Sequence, residues 1–264
     1  MSDGPVRIFI GASANGEDAE SIAVLQFSVL KHTTRPVEFV VMAQTNDPSS
    51  FWHGWATERW ATPFSGYRWG VPAFCGYQGK AIYTDSDVIF LDDVAKLWDQ
   101  PIPPGRAVLA KSGSWRLCVS LWDCAAARDV LPPIDTIRHD PASHKRCSDI
   151  MRAPNVRAAF AGNWNCLDGE GRPDLEDGSV QALHYTDMSC QPHLAHALPR
   201  LAASGQRHWF DGTLRPHPRP DVQALFDRYL AEAIAAGITP DQFIPAEPFG
   251  DYQKQSLTNY RGRA

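Results

Sequence analysis

Two carboxylates stand one residue apart in the stretch AIYTDSDVIFLDD, residues 81–93. In a β-strand Asp85 and Asp87 would point to the same face, where two buried negative charges repel each other. If the strand ends near Asp85, the pair projects from the carboxyl edge of the sheet, where open α/β folds bind ligands. A divalent cation that takes oxygens from both acids and from a ligand's phosphates would neutralise the charge. The alternative is a pair of turn or capping aspartates, because this spacing is common.

A parallel sheet is the element that would position these acids. Residues 6–13 and 37–44 are short apolar runs that predict strands, and residues 17–32 between them have helical apolar spacing. Strand, helix and strand in this order predict a βαβ unit with a right-handed crossover. Residues 80–91 predict the next strand and its continuation. Further predictions are loop at 45–64, a helix at 94–99, strands at 106–112, 115–124 and 180–185, and loop with a short helix at 131–149.

The C-terminal part has a different character. The segment RPHPRP, residues 215–220, predicts a linker. Residues 221–236 predict an amphipathic helix with Asp221 as N-cap and Gly237 as C-cap. We therefore expect one α/β domain over 1–214 and an extension over 215–264. The apolar face of the helix suits packing on the domain and a homodimer equally well.

Composition excludes several classes of protein. The 264 residues are 44% hydrophobic, enough for a large α/β core without disulfides. The net charge of -5 is scattered and no basic stripe is present, which argues against nucleic-acid binding. No apolar run approaches the ~20 residues of a membrane span, and the N-terminus does not read as a signal peptide. The six cysteines form no C-x-x-C pair, which predicts buried thiols and a cytoplasmic protein.

Residues 62–98 carry the sharpest resemblance to a known family. Arg68, Pro72, Asp85, Asp87, Asp93 and the pair Leu97–Trp98 occur in the order found in GT-A glycosyltransferases that use nucleotide sugars. The sequence most resembles the family 8 group, which includes glycogenin and lipopolysaccharide galactosyltransferases, from the first strand to about His193. The resemblance implies a GT-A fold, with a mixed, mostly parallel central sheet flanked by helices.

The same resemblance implies a metal-dependent sugar transfer. Asp85 and Asp87 would hold Mn²⁺ or Mg²⁺ against a nucleoside diphosphate, Ser86 would lie beside the ribose, and Arg68 would approach the donor. The third metal ligand would be His184, at the start of HYTDMSCQPH (residues 184–193). The preferred donor is a UDP-sugar, with a GDP-sugar possible, and the acceptor is a carbohydrate or a small molecule.

The late motif departs from the family pattern H-x-x-G-x-x-K-P-W. Asp187 stands where Gly is usual, one residue is extra, Gln191 replaces the Lys, and His193 replaces the Trp. Gln191 can donate hydrogen bonds to the leaving diphosphate but cannot neutralise its charge. Either the metal neutralises more of the charge on the diphosphate or another basic side chain does so. The candidates are Lys80, Lys111 and Arg116.

Two further stretches resemble donor-binding parts of the family. Gly11, Ala12 and Ser13, followed by Asn15, form the loop that would hold the base and ribose, where small residues let the backbone approach a planar ring. Trp164 and Asn165 resemble a W-N stretch near the sugar, as an apolar platform and a hydrogen-bonding group. A buried Trp with a turn Asn is the structural alternative.

Retention of anomeric configuration is also implied by the resemblance. A carboxylate could then flank the anomeric carbon, as in double-displacement hydrolases. The candidates are Asp123, Asp149 and Asp168, with Asp123 preferred because it follows a predicted strand. Together with Arg68 and Gln191, it completes the expected catalytic group.

Two other functions remain open at this point. A phosphatase of the haloacid-dehalogenase type also uses two aspartates spaced D-x-D, but its motif usually lies on the first strand and wants Thr or Val where this chain has Ile89. A divergent GT-A domain that only binds sugars or nucleotides would explain the changes at Gln191 and His193. Turnover of a nucleotide sugar separates these alternatives from a transferase.

Overall fold

The computed structural model describes residues 4–112, 117–210, 212–247 and 249. The strands are β1 (Val6–Gly11), β2 (Val37–Met42), β3 (Lys80–Asp85), β4 (Val88–Phe90), β5 (Val108–Ala110), β6 (Val119–Asp123), β7 (Arg157–Ala159), β8 (Cys166–Leu167) and β9 (Ala182–His184). The α-helices are α1 (Ala19–His32), α2 (Val71–Phe74), α3 (Ala95–Trp98), α4 (Cys124–Val130), α5 (Ile134–His139), α6 (Ser143–Met151), α7 (Leu194–Ala203) and α8 (Pro220–Ala235).

The central sheet has six strands in the order β2-β1-β3-β6-β5-β7. Among the described residues, β1 pairs in parallel with β2 and β3, and β5 pairs in parallel with β7, while β6 runs antiparallel to both of its neighbours. The prediction of a mixed, mostly parallel sheet is thus confirmed. So is the βαβ unit of β1, α1 and β2, whose helix carries Glu20 in its first turn and Lys31 and His32 in its last, as the helix dipole favours.

The two faces of this sheet bury different clusters, as the alternation of side chains along a strand requires. Phe9 and Tyr83 face a cluster rich in aromatic residues, which among the described residues includes six tryptophans: Trp52, Trp55, Trp60, Trp69, Trp122 and Trp209. Ile8 and Ile82 face the aliphatic side chains of α1 and α3. Residues 45–64 contain turns, as predicted, but their tryptophans are buried and cover one face of the sheet.

The run 80–91 is not one strand with a simple continuation. It breaks after Asp85, and β4 joins a second sheet of order β4-β9-β8. β4 pairs antiparallel with β9, so that Val88 lies opposite His184. This change of sheet places the segment 85–87 at the junction of the two sheets, beside the residue that ends β9.

The C-terminal extension packs onto the domain. Five apolar side chains of α8 share one buried cluster with Ala23 and Val24 of α1; they are Val222, Leu225, Phe226, Tyr229 and Leu230. Most of the predicted apolar face of this helix is therefore covered within the chain, while Ile234 is 49% exposed, and the homodimer stays a prediction. The segment predicted as a linker is packed as well, since His217 and Arg219 are buried.

Several helices differ from the sequence prediction. α4 starts directly after β6, and residues 131–149 contain α5 and most of α6 where loop with one short helix was expected. α7 was not predicted. None of the helices in the described part of the chain combines the length and the apolarity needed to cross a bilayer.

Candidate metal and nucleotide site

The carboxyl ends of the three parallel strands meet at one edge of the central sheet. Gly11 ends β1 opposite Met42 of β2 on one side and Asp85 of β3 on the other. Because β6 runs antiparallel, its beginning lies at the same edge, and the backbone N–H of Asp85 donates to the carbonyl of Cys118 at 2.8 Å. The predicted placement of Asp85 at the carboxyl edge is what the structure has.

Asp85 is buried beside a counter-charge. The Arg68 Nη2 donates to Asp85 Oδ1 at 3.0 Å, and the Arg68 Nε donates to the Ser65 carbonyl at 2.8 Å. The Tyr83 hydroxyl also donates to Asp85 Oδ1, and the Arg68 guanidinium lies 4.6 Å from the centre of the Tyr83 ring. Arg68 thus holds one carboxylate of the pair in place and offsets its charge.

Asp87 lies on the other side of the junction, against residues from the end of the second sheet. Its Oδ1 is 3.1 Å from His184 Nε2, and its Oδ2 accepts a hydrogen bond of 2.7 Å from Gln191 Nε2. The same Gln191 nitrogen donates to the Tyr185 carbonyl at 3.0 Å. Both amide hydrogens of Gln191 are therefore used, which corrects the prediction that it donates to the diphosphate; its observed action is to orient Asp87.

His184 is buried, and Asn165 fixes its orientation. The His184 Nδ1 donates to Asn165 Oδ1 at 2.9 Å, which leaves the Nε2 lone pair facing Asp87 Oδ1. Burial lowers the pKa of His184, but Asp87, with smaller contributions from Asp85 and Asp168, outweighs burial and leaves the pKa above its usual 6.5. The pocket between His184 and Asp87 therefore favours positive charge.

The residues present fit a divalent cation. Asp87 Oδ1 is buried and has no hydrogen-bond partner among the described residues. A lone pair and a carboxylate oxygen at 3.1 Å repel each other unless a proton or a cation lies between them. Donor atoms of Asp85, Cys118 and His184 lie within 4.8 Å of one another, and Asp87 Oδ1 lies 3.1 Å from His184 Nε2, so His184 lies near both of the predicted carboxylate ligands. Two carboxylates and a neutral imidazole suit Mn²⁺, and oxygen donors suit Mg²⁺.

Cys118 was not predicted at this site. Burial, together with the nearby Asp85 carboxylate, raises the pKa of Cys118 well above its usual value, so the side chain is a neutral thiol. A thiol is a much poorer metal ligand than a thiolate. No sequence signal marks Cys118, because its position depends on the antiparallel direction of β6.

A cavity of about 380 Å³ opens at the ends of β1 and β2, and one of its lining residues, Ala12, follows Gly11, which pairs with Asp85. Ala12, Ser13 and Asn15 line it, together with Gln44 of the second strand's loop. Asn15 has φ 65°, and its side-chain amide exchanges hydrogen bonds with the N–H and carbonyl of Phe249. Two of the three residues predicted to hold the base and ribose thus face a cavity of suitable position.

Position 11 requires a glycine because of a close contact with Tyr83. A Cβ at Gly11 would lie 2.6 Å from the Tyr83 hydroxyl oxygen, the atom that donates to Asp85. The glycine therefore makes room for a group that orients a carboxylate, and its predicted contact with a base stays a prediction. Ser86, between the two acids, is buried.

The structure contradicts the expected roles of three other residues. Asp123 ends β6 opposite Lys80, five residues or about 17 Å along β3 from Asp85, and it caps α4 by accepting from the N–H groups of Ala125 and Ala126. It cannot flank a sugar held at Asp85. Trp164 is buried beside Phe90 in the core and offers no open platform. Asn165 is fully buried and holds His184 instead of a sugar hydroxyl.

Of the other candidate acids, Asp168 lies at the site and Asp149 does not. Asp149 is half exposed on α6 and pairs with Lys145. The Asp168 N–H donates to the His184 carbonyl, and Asp168 Oδ2 accepts a hydrogen bond of 2.9 Å from His217 Nε2. His217 belongs to the predicted linker, where only its position between Pro216 and Pro218 could have drawn attention.

Of the basic residues proposed to neutralise the diphosphate, one lies far from Asp85 and Asp87 and another already binds other groups. Lys80 is at the far end of β3, where its Nζ donates to the Trp98 carbonyl. Lys111 donates to the Asn165 carbonyl at 3.0 Å and pairs with Glu170. Arg116 lies outside the described residues.

Comparison with known proteins finds similarity in structure alone. No family model matches the sequence, and a comparison with curated proteins gives no match. The apo form of the glycosyltransferase GlyE of Streptococcus pneumoniae TIGR4 superposes with a TM-score of 0.54 at 12% identity, over 89% of this chain and 64% of that one. The bifunctional glycosyltransferase WbbM gives 0.52 at 13% identity, over 86% and 52%. The chain thus spans between half and two thirds of these two proteins.

A third similar structure is close to this chain in length. The galactosyltransferase LgtC, in complex with donor and acceptor sugar analogs, superposes with a TM-score of 0.52 at 14% identity, over 87% of this chain and 96% of that one. At such identities the comparison concerns the fold alone. The chain has the GT-A fold of the glycosyltransferases.

Proposed function

We propose that this protein is a metal-dependent glycosyltransferase that moves a sugar from a nucleoside-diphosphate donor to a carbohydrate or small-molecule acceptor. The observation that carries the proposal is the buried pair of Asp87 Oδ1 and His184 Nε2, which lie 3.1 Å apart and need a proton or a cation between them. Groups arranged in this way are stabilised by a cation. They lie beside a cavity in a fold that glycosyltransferases use.

Asp85, Asp87 and His184 would hold Mn²⁺ or Mg²⁺. Such an ion, when bound, stabilises the negative charge that develops on the departing diphosphate. Within the chain, Asn165 keeps the His184 Nε2 lone pair available, and Gln191 keeps Asp87 from rotating away. Arg68 prevents two unpaired carboxylates from repelling each other and supplies further positive charge at the donor.

In the transfer the bond between the anomeric carbon and the β-phosphate oxygen breaks, a bond to the acceptor oxygen forms, and the proton of the acceptor hydroxyl passes to an oxygen of the departing diphosphate. The nucleoside diphosphate leaves with the electron pair of the broken bond. Retention of configuration rests on the resemblance in the sequence. Among the three acids considered, Asp168 is the one beside His184, and we assign it the role first given to Asp123.

A UDP-sugar is the preferred donor, and a GDP-sugar is the alternative. The base and ribose would occupy the cavity lined by Ala12 and Ser13, where Asn15 offers an amide that can pair with an imide edge. In the structure that amide pairs with the Phe249 backbone, so a bound base would have to replace this contact.

Donor turnover tests the proposal. The purified protein, stripped of metal and then supplied with Mn²⁺ or Mg²⁺, is incubated with a panel of UDP- and GDP-sugars with and without simple sugar acceptors, and release of the nucleoside diphosphate is measured. We expect metal-dependent release from one donor class and its loss in Asp87→Asn. Asp227→Asn, a half-exposed carboxylate on α8, is the matched control and should retain activity.

A GT-A domain that only binds nucleotides is the second candidate, and one observation favours it. Both amide hydrogens of Gln191 are engaged, so this residue supplies nothing in place of the lysine that the family motif has. Metal-dependent nucleotide binding without turnover of any donor would favour this function. A phosphatase is disfavoured, because the carboxylate that would attack, Asp85, is held by Arg68 and Tyr83.

A further inference from the structure

A second group of possible metal ligands lies outside the site described above. Asp18, His193 and His208 each place one donor atom within 4.8 Å of the other two. All three side chains are more than nine-tenths buried, at 4%, 1% and 4% exposure. They come from the start of α1, from the residue before α7 and from the loop after α7. Three separate parts of the chain thus converge on one buried point.

The polar atoms of this cluster are not satisfied within the described chain. Neither ring nitrogen of His193 has a hydrogen-bond partner there, nor does Nε2 of His208. Asp18 Oδ2 accepts from the Ser13 N–H at 2.6 Å, while its Oδ1 stops 3.9 Å from His193 Nε2. Buried nitrogens without partners are rare in folded proteins, and an ion or another ligand is a common explanation.

We propose that Asp18, His193 and His208 bind a divalent transition-metal ion of the Zn²⁺ class. Two imidazoles and one carboxylate form a common ligand set for Zn²⁺ and its neighbours, with a fourth position left for water. The set differs from the Asp85/Asp87/His184 site, where two carboxylates favour harder ions. Ligand bonds of about 2 Å would require the three side chains to move together slightly from their present separation.

The charge states of the cluster suit this role. Burial lowers the pKa of His193 well below its usual value and that of His208 to about 4, so both rings are neutral, as metal ligands must be. Burial raises the pKa of Asp18 to about 6, which leaves it ionised at and above neutral pH. The His208 Nδ1 accepts from the Phe210 N–H, so binding through His208 Nε2 would move a proton to Nδ1 and break that one contact.

The ion would connect α1 to both ends of α7. Through Asp18 it would also fix Ser13, which lines the cavity, and through His193 it would hold the segment that carries Gln191. The expected role is therefore structural, to keep the nucleotide loop and the α7 segment in register. This inference does not depend on the sugar donor or on turnover.

Metal content and Co²⁺ absorption test the proposal in the 264-residue chain. Asp87→Asn is used as the parent, because it disables the first site, and Zn²⁺ is measured by mass spectrometry after dialysis. We expect one bound Zn²⁺ per chain, and one Co²⁺ with the visible absorption of a tetrahedral nitrogen and oxygen site. Adding His208→Ala or Asp18→Asn should weaken Zn²⁺ binding by more than ~10–100-fold. That range is the loss expected when a residue that only hydrogen-bonds to a metal ligand is removed.

His196→Ala, an exposed histidine on α7, is the matched control and should leave binding unchanged. Asp18→Asn keeps an oxygen for the Ser13 N–H and so guards against simple misfolding. No bound Zn²⁺ in Asp87→Asn, or equal binding by the His208→Ala, Asp18→Asn and His196→Ala variants, would overturn the proposal. A failure of Mn²⁺ to bind at the Asp85/Asp87/His184 site would not change the Zn²⁺ result, so one proposal can be refuted while the other stands.

Discussion

Replacing Arg68 by methionine tests how the candidate site tolerates two neighbouring carboxylates. The Arg68–Asp85 pair spans 3.0 Å, and its side chains are only 5% and 9% exposed. At that distance the attraction is about 5 kcal/mol with an effective dielectric constant of about 20. Removing one partner of a buried pair costs about 3–5 kcal/mol, because the other charge stays buried and unpaired. We expect Arg68→Met to lower the free energy of unfolding of the metal-free protein by that amount.

Urea unfolding followed by circular dichroism measures the change, as a fall of roughly 1–2 M in the midpoint. Arg35→Met is the control: Arg35 pairs with Asp99 at 2.8 Å, but the pair is 25% and 50% exposed, so the cost should be about 1 kcal/mol or less. The double variant Arg68→Met/Asp85→Asn should recover most of the loss. If Arg68→Met costs no more than Arg35→Met, or if the double variant recovers nothing, the electrostatic reasoning is wrong.

Three further predictions concern Asn165, Asp123 and His184. Asn165→Ala should weaken Mn²⁺ binding by about 10–100-fold in calorimetric titration, because it frees the ring of His184. Asp123→Ala should lower stability by about 1 kcal/mol through loss of the α4 cap and leave kcat/KM unchanged; a large loss of turnover would restore Asp123 to the site. Metal-free His184 has a raised pKa, so its attraction to Asp87 stabilises the fold below pH 6.5 and is lost as pH rises through the raised value. Mn²⁺ affinity should follow the opposite course and fall about tenfold per unit as pH drops below that pKa, whereas a flat profile in calorimetry would argue against His184 as a ligand.

The sequence predicts the part of the site that depends on local pattern. The apolar runs of β1, β2 and β3 and the spacing of α1 fix a parallel arrangement, and Asp85 then has to lie at its carboxyl edge. His184 was placed at the end of a late strand by its motif, and β9 does end there. The period of the apolar residues is a local property, and it sufficed for these residues.

Residues whose position depends on strand direction or on a change of sheet were not predictable. Asp123 follows a strand just as Asp85 does, but β6 runs antiparallel, and this sends Asp123 to the opposite edge and brings Cys118 to the site. The run 80–91 is apolar throughout, and nothing in it marks the point where the chain leaves one sheet for the other. Trp164 was ambiguous because an aromatic residue suits a core as well as a sugar platform.

The cluster of Asp18, His193 and His208 shows the limit of reading motifs. His193 was noticed as a departure from the family pattern, but its partners are 175 residues before it and 15 after it, in no recognisable spacing. Convergence of that kind follows from the packing of α7 near the start of α1. Only the folded chain brings these three side chains together.

The most direct measurement of the central claim is the stabilisation of the protein by nucleotide and metal together. Thermal unfolding is followed for wild type and Asp87→Asn with UDP or GDP, in the presence of Mn²⁺ or of a chelator. We expect the Tm of the wild type to rise only when both Mn²⁺ and one of the nucleotides are present, and we expect Asp87→Asn to lose this rise. In chelator, the difference in Tm between the two proteins should be constant. A rise of equal size in Asp87→Asn, or one that the chelator does not remove, would contradict this expectation.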